Sequence, residues 1–152
     1  MVRPPRRPAL LTEVGSASAL PPDSKLVPGA ARGAVGAGGA PARDTSNDIW
    51  ASDLHLTPNG KFLYAAERTS STLGAFTVDS ATGKLTYLGS TPTEKQPRGF
   101  AIDRTGRFMI VSGEKSDTIS AYAIDPSTGA LRQIGTYPTG KGSNWVEIVS
   151  FD

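Results

Sequence analysis

An all-β chain built from stacked four-stranded units is what this sequence predicts, on three observations. Residues 54–99 and 100–145 are one pattern written twice, in register and without a gap, at a spacing of 46 residues. Each copy is a series of short apolar runs rich in β-branched and aromatic residues, separated by Gly, Pro, Asn and Asp. Neither copy has the apolar spacing of i, i+3, i+4 and i+7 that an amphipathic crossover helix needs, so parallel βαβ units are excluded.

Thirteen positions are identical across the offset, among them Gly60/Gly106, Phe62/Phe108, Asp79/Asp125, Gly83/Gly129, Leu85/Leu131 and Lys95/Lys141. Others are apolar exchanges such as Leu54/Phe100, Leu63/Met109 and Phe76/Tyr122. The runs are nearly continuous in apolar character, as in Phe62 to Ala66, which suits a sheet covered on both faces. Four antiparallel strands per repeat of about 40–50 residues, buried on both sides, describe a β-propeller blade.

Taken in chain order, residues 1–8 have no counterpart in the repeats and read as a non-native or disordered N-terminus. Residues 9–16 read as the outer strand of a preceding blade, because Leu11 to Ser16 echoes Leu85 to Ser90. Residues 17–48, rich in Pro, Gly and Ala and without hydrophobic periodicity, read as a long surface loop or disordered segment. Such a loop could be a lid, but a tolerated insertion is the favoured reading because loop length costs little free energy.

Residues 49–152 hold two blades plus the inner strand of the next, which Val146 to Ile148 begins. In the first blade strands are expected over Ala51–Leu56, Phe62–Glu67, Thr72–Val78 and Leu85–Leu88. Thr57-Pro58-Asn59-Gly60 and Asp79-Ser80-Ala81-Thr82-Gly83 are the turns between them, with proline supplying a fixed φ and glycine or asparagine a positive one. A blade cannot bury its faces alone and is stable in a ring of about 4–8. The chain therefore reads as a window on a longer array, and self-association of an incomplete ring is one expectation that follows.

Composition excludes several classes. Residues 47–152 carry ten Lys or Arg against eleven Asp or Glu, so the blades offer no electrostatic footprint for nucleic acid. No cysteine is present, which removes disulfides and thiolate metal sites. No apolar run of membrane-spanning length exists, and the basic start has no apolar stretch behind it. No membrane association and a cytoplasmic location are the expectations. Gly135 to Gly142 approaches a phosphate-binding P-loop, but Gly142 stands where Ser or Thr would hold magnesium and no helix follows, so it reads as an inter-blade loop.

The repeat also separates scaffold from site. Positions that agree between copies serve the blade, whereas a charge present in one copy alone is free to serve chemistry. By this criterion His55 (opposite Ala101), Arg68 (opposite Glu114) and Arg98 (opposite Asn144) stand out. Asp53 lies two residues before His55, on the same strand face. Glu67 and Glu114 end strands and are candidate carboxylate bases.

Four strings carry a resemblance: Trp50 to Gly60, Phe62 to Thr69, Thr93 to Phe100, and Gly140 to Val146. In this order they resemble the C-terminal part of the lactonase family of seven-bladed propellers, which includes bacterial 6-phosphogluconolactonases and fungal carboxymuconate-lactonizing enzymes. The resemblance implies a sugar-lactone hydrolase of the pentose phosphate route, or a muconate-type lactonizing isomerase, acting on a small-molecule lactone with no cofactor and no metal.

Lactone hydrolysis needs a base for water, donors for the developing oxyanion, and cations for the substrate's anionic group. His55, the only histidine, suits the base because an imidazole's ordinary pKa is about 6.5; a structural histidine near the channel wall is the alternative. Asp53 either orients His55 or caps a strand end. Arg68 and Arg98 can each bind an anion bidentately, or make solvated pairs. Gln96 and Lys95 flank Arg98 as further substrate-binding candidates, although Lys95 recurs as Lys141, which favours a structural or solvated role. Many family members carry an amide at the position of Glu114, which leaves its role open. A non-catalytic binding platform for an anionic ligand is the competing reading. For the 152-residue chain alone, little or no activity is expected.

Overall fold

The structure, a computed structural model, describes residues 11–29 and 44–151. The expectations for residues 1–8, and for the middle of the 17–48 loop, lie outside the described residues. Two four-stranded antiparallel sheets dominate. The first, blade one, comprises β3 (Ala51–Leu56), β4 (Phe62–Glu67), β5 (Thr72–Val78) and β6 (Leu85–Pro92), in that spatial order. Blade two repeats it with β7 (Pro97–Ile102), β8 (Phe108–Gly113), β9 (Thr118–Ile124) and β10 (Leu131–Pro138). No helix is assigned among the described residues.

The turns show why the strands end where they do. Asp79 Oδ1 accepts from the Ala81 and Thr82 amides and the Thr82 hydroxyl, closing β5 to β6, and Gly83 follows at φ 73°. Asp125 repeats the turn with Ser127 and Thr128, and Gly129 follows at φ 72°. A carboxylate that accepts this many hydrogen bonds is stabilised in its charged form. Those from Ser127, its side chain first, bring the Asp125 pKa down to about 2.

Where the sequence suggests that the outer strand stops at Leu88, β6 runs on to Pro92. The cause is a bulge: Tyr87 pairs with Phe76 and Gly89 with Ala75, and Gly89 takes up the extra residue at φ 144°, a conformation that glycine adopts without strain. Gly135 stands at the same irregularity in β10.

Strand alternation sorts the faces. Phe62, Tyr64 and Ala66 of β4, with Leu73 and Ala75 of β5, pack against Phe100, Met109, Val111, Tyr122 and Ile124 of blade two. At about 1.5–3 kcal/mol for each large apolar side chain removed from water, this inter-blade layer is the main stabilising feature. One hydrogen bond fixes its register: the buried Tyr64 hydroxyl donates to the Gly129 carbonyl at 2.7 Å. Burial, with the Asp125 charge adding to it, pushes the Tyr64 pKa up to about 12, so the hydroxyl keeps its proton. Gly129 must be glycine here on a second count, because a Cβ would stand 2.5 Å from the Phe62 ring.

The opposite face of blade one carries Leu54 and Leu56, which remain 60% and 50% exposed. Its outer part is crossed by residues 14–20: Leu20 is buried, and a Cβ on Gly74 would lie 2.6 Å from the Ala19 carbonyl oxygen. Residues 11–16, expected as an outer strand, carry no strand ladder, and neither do Val146 to Ile148. No described strand lies alongside either segment to complete its hydrogen bonds. Val27–Pro28 (β1) and Asp48–Ile49 (β2) form a two-residue parallel pair within the stretch expected to be loop.

Candidate functional site

The inner strands β3 and β7 lie side by side, and polar side chains at their starts tie them together. Ser52 Oγ donates to the Pro97 carbonyl at 2.7 Å, and the Phe100 amide donates to Asp53 Oδ2 at 3.2 Å. The same Asp53 oxygen is 3.2 Å from His55 Nε2, as expected for residues i and i+2 of one strand face. The His55 ring meets the Phe100 ring edge-on, with centroids 4.7 Å apart. Asp53 is thus both a cross-blade acceptor and the partner of the histidine.

At the end of β4 the chain turns through a corner built on Glu67. Its buried carboxylate accepts from the amides of Trp50, Thr69 and Ser70 and from the Ser70 hydroxyl. Such saturation makes Glu67 a structural acceptor rather than a base. The corner aims the next residue, Arg68, whose guanidinium carbon lies 5.2 Å from the centroid of the Trp50 ring and whose Nη2 donates to Glu114 Oε2. Arg98 Nη1, from the start of β7, donates to the same oxygen at 3.1 Å. Arg68 is 14% exposed and Arg98 48%.

Two guanidiniums from adjacent blades therefore share one carboxylate. The Arg98 hydrogen bond, above all, and the charges of Arg68, Arg98 and Lys115 hold the Glu114 carboxyl below the usual carboxylate range, against an opposing desolvation effect. At this contact two positive charges meet one negative charge, and Asp53 on the same cleft supplies a second carboxylate. In addition, Arg68 Nε is buried without a hydrogen-bond partner.

A cleft of about 470 Å³ opens at this point, lined by Ser52, Asp53, Arg68 and Arg98 and, across from them, Asn144 and Trp145. Gly99 sets its width, since a Cβ there would lie 2.8 Å from the Asn144 carbonyl oxygen. Of the residues singled out in the sequence, Asp53, Arg68 and Arg98 come together. His55 does not line the cleft but stands behind Asp53. Gln96 and Lys95 are placed elsewhere. Gln96 sits at φ 51° in the inter-blade loop, where its amide donates to Ser71 Oγ and its carbonyl accepts from Glu114. The Lys95 amide donates to Ser116 Oγ and its carbonyl accepts from Lys115, while its side chain faces solvent.

Sequence reasoning missed Glu94. Its buried carboxylate accepts from Thr118 Oγ1 at 2.9 Å and Ser120 Oγ at 2.6 Å, pinning the loop before β7 onto β9. The available signal was Gly140 at the corresponding position of the second copy, a charge present in one copy alone.

Comparison with known proteins places the chain. The model of the seven-bladed β-propeller lactonase family matches residues 26–148. A 6-phosphogluconolactonase of Pectobacterium carotovorum is 48% identical over 103 residues, 68% of this chain and 31% of that protein. One from Cronobacter sakazakii is 45% identical over 109 residues, 72% of this chain and 33% of the relative. The chain thus spans about a third of the length of these relatives. Among solved structures, a periplasmic gluconolactonase of Pseudomonas aeruginosa superposes with a TM-score of 0.60 at 31% identity, over 63% of this chain and 27% of that one. A Bacteroides fragilis protein with a proposed 6-phosphogluconolactonase activity gives 0.63 at 31% identity, over 66% and 28%. No helix of the described residues is long and apolar enough to cross a membrane. Two consecutive four-stranded blades, the cleft between their inner strands and the family match agree, and the chain belongs to the lactonase family of seven-bladed β-propellers.

Proposed function

We propose that the cleft between β3 and β7 is the anion-binding part of a sugar-lactone hydrolase site, acting on a phosphosugar lactone such as 6-phosphogluconolactone. The observation that carries this reading is the convergence of Arg68 and Arg98 on one carboxylate at the cleft. A phosphate entering the cleft competes with Glu114 for both guanidiniums and gains charge-assisted hydrogen bonds that are about twice as strong as neutral ones. The lactone carbonyl then lies toward Asp53, and the Asp53–His55 pair accepts the proton of an attacking water. The carbonyl carbon gains the water oxygen, the ring C–O bond breaks, and the ring oxygen leaves as the hydroxyl of the free acid.

Lys95 and Gln96 contribute as backbone elements that set the direction of Arg98. A cytoplasmic site is consistent with a phosphorylated substrate, although a solved relative is periplasmic. The 152-residue chain alone is expected to bind better than it turns over, because a cleft open to water loses the low-dielectric setting in which oxyanion stabilisation works.

The position of His55 behind Asp53, outside the cleft lining, favours a second reading. There the same arginines hold an anionic ligand without chemistry. Initial rates of 6-phosphogluconolactone hydrolysis in a pH-stat, for a complete family protein carrying these blades and for its Arg98→Ala form, separate the possibilities. The hydrolase reading expects a roughly tenfold or larger fall in kcat/KM on loss of one charge-assisted anion contact. Equal rates would remove Arg98 from the mechanism, and saturable binding without turnover would establish the platform.

A further inference from the structure

Of the two tryptophans in the chain, Trp50 is engaged: its ring lies under the Arg68 guanidinium. Trp145 is not. It is 79% exposed and lines the cleft, across from Arg68 and Arg98, and among the described residues no ring or guanidinium stacks on its indole. An indole at the mouth of a charged cleft is an apolar surface that a ligand entering the cleft can cover.

Its placement is enforced by the backbone. Trp145 stands 46 residues after Gly99, at the same repeat position, and a Cβ on Gly99 would lie 3.3 Å from the Trp145 Cα. Glycine in one copy therefore makes room for the chain that carries the aromatic residue of the other. Arginines on one wall and an indole on the other give the cleft a cationic, anion-binding end and an apolar wall.

From this juxtaposition we infer that Trp145 is a specificity-determining residue that stacks on the C–H face of a sugar or lactone ring whose anionic group is held by Arg68 and Arg98. The inference rests on the anion-binding reading above and adds a requirement for the ring. An indole offers a broad, rigid π-face to weakly positive C–H groups, but nothing to a phosphate. Trp145 thus separates phosphosugars from inorganic phosphate, whereas the arginines bind both.

The experiment titrates the 152-residue chain with glucose 6-phosphate, a stable phosphosugar that keeps its pyranose ring, and separately with inorganic phosphate, by calorimetry and tryptophan emission. In the Trp50→Phe form, emission reports Trp145 alone. The expected result is a blue shift or quench with glucose 6-phosphate and none with phosphate. Trp145→Ala should weaken glucose 6-phosphate roughly tenfold and leave phosphate affinity unchanged, with Trp145→Phe restoring most of the loss. Arg98→Ala should weaken both probes. If Trp145→Ala changes neither affinity, or both equally, the stacking role is overturned while the anion site stands. If the unaltered chain binds neither probe, the anion reading fails and the stacking role fails with it. A Trp145→Ala chain that has lost its β circular dichroism is replaced in the comparison by the Trp145→Phe and Trp145→Leu forms; equal glucose 6-phosphate affinity in those two would also overturn the role of the aromatic ring.

Discussion

Blade one and blade two follow the same 46-residue frame and differ most at the corner after the second strand. Blade one has Glu67 there, accepting from three backbone amides and a hydroxyl; blade two has Gly113. The absence of a side chain at Gly113 is required, because a Cβ would collide with the Lys95 carbonyl and come within 2.8 Å of Glu94 Cβ. In blade two the corner amides of Glu114 and Lys115 go instead to the Gln96 and Lys95 carbonyls, while Glu94 reaches in from the same loop to the Thr118 and Ser120 hydroxyls. The difference extends one residue further: Arg68 and Glu114, equivalent by repeat, become partners in space. The lesson is that an unequal pair of equivalent positions supplies the two halves of one inter-blade contact.

The largest expected effect comes from removing the blade-one solution. Glu67→Ala leaves three amides without their acceptor and should cost about 3 kcal/mol or more in urea unfolding. A loss under about 1 kcal/mol would mean that water replaces the carboxylate and that the corner is not held by it.

Next in size, Gly113→Ala tests the blade-two solution. The new methyl must displace the 94–95 backbone, at about 2 kcal/mol. Gly60→Ala is the control, with open space around the Cβ but φ at 72°, at about 1 kcal/mol. Equal costs would show that backbone conformation, not the inter-blade contact, decides both positions.

The smallest effect concerns the Arg68–Glu114–Arg98 contact. The Glu114 pKa is depressed in the folded chain, so its contribution is fully present above the unfolded carboxylate pKa. It is lost as pH falls through the lower, folded value. Stability should therefore decline on acidification below the usual carboxylate range by slightly more in the native chain than in Glu114→Gln, read as thermal midpoints across roughly pH 2–6 (about two pH units either side of the ordinary value of ~4.3). Identical slopes would mean that Glu114 is not held in its charged form by the two arginines. Phosphate binding should strengthen in Glu114→Gln, since the competing anion is gone.

Much of the fold was legible because its signals are local and repeated. The bounds of β3, β4 and β5 follow from apolar runs and from turn residues whose side chains close the turns, as at Asp79. The end of β6 was not legible, because a glycine that accommodates a bulge reads in sequence like a glycine that ends a strand. At the site, charge asymmetry between copies found Arg68 and Arg98. It could not show that Lys95 and Gln96 act through their backbones, because φ at Gln96 and the carbonyl at Lys95 depend on the neighbouring blade. Asp53 was found through its proximity to His55, yet its bond to the Phe100 amide joins residues 47 apart, a distance that no local pattern encodes.

The Ser71 latch has a consequence for what counts as a unit of this chain. Ser71, at φ 57° between β4 and β5, accepts the Gln96 amide on its hydroxyl and the Thr93 amide on its carbonyl. The connector from blade one to blade two is thereby sewn back onto the blade it has just left, while Glu94 sews it onto the blade ahead. Mechanically the joint belongs to both neighbours. The module that could be cut out and moved whole is therefore not the sequence period but a segment overlapping the next by the length of that connector.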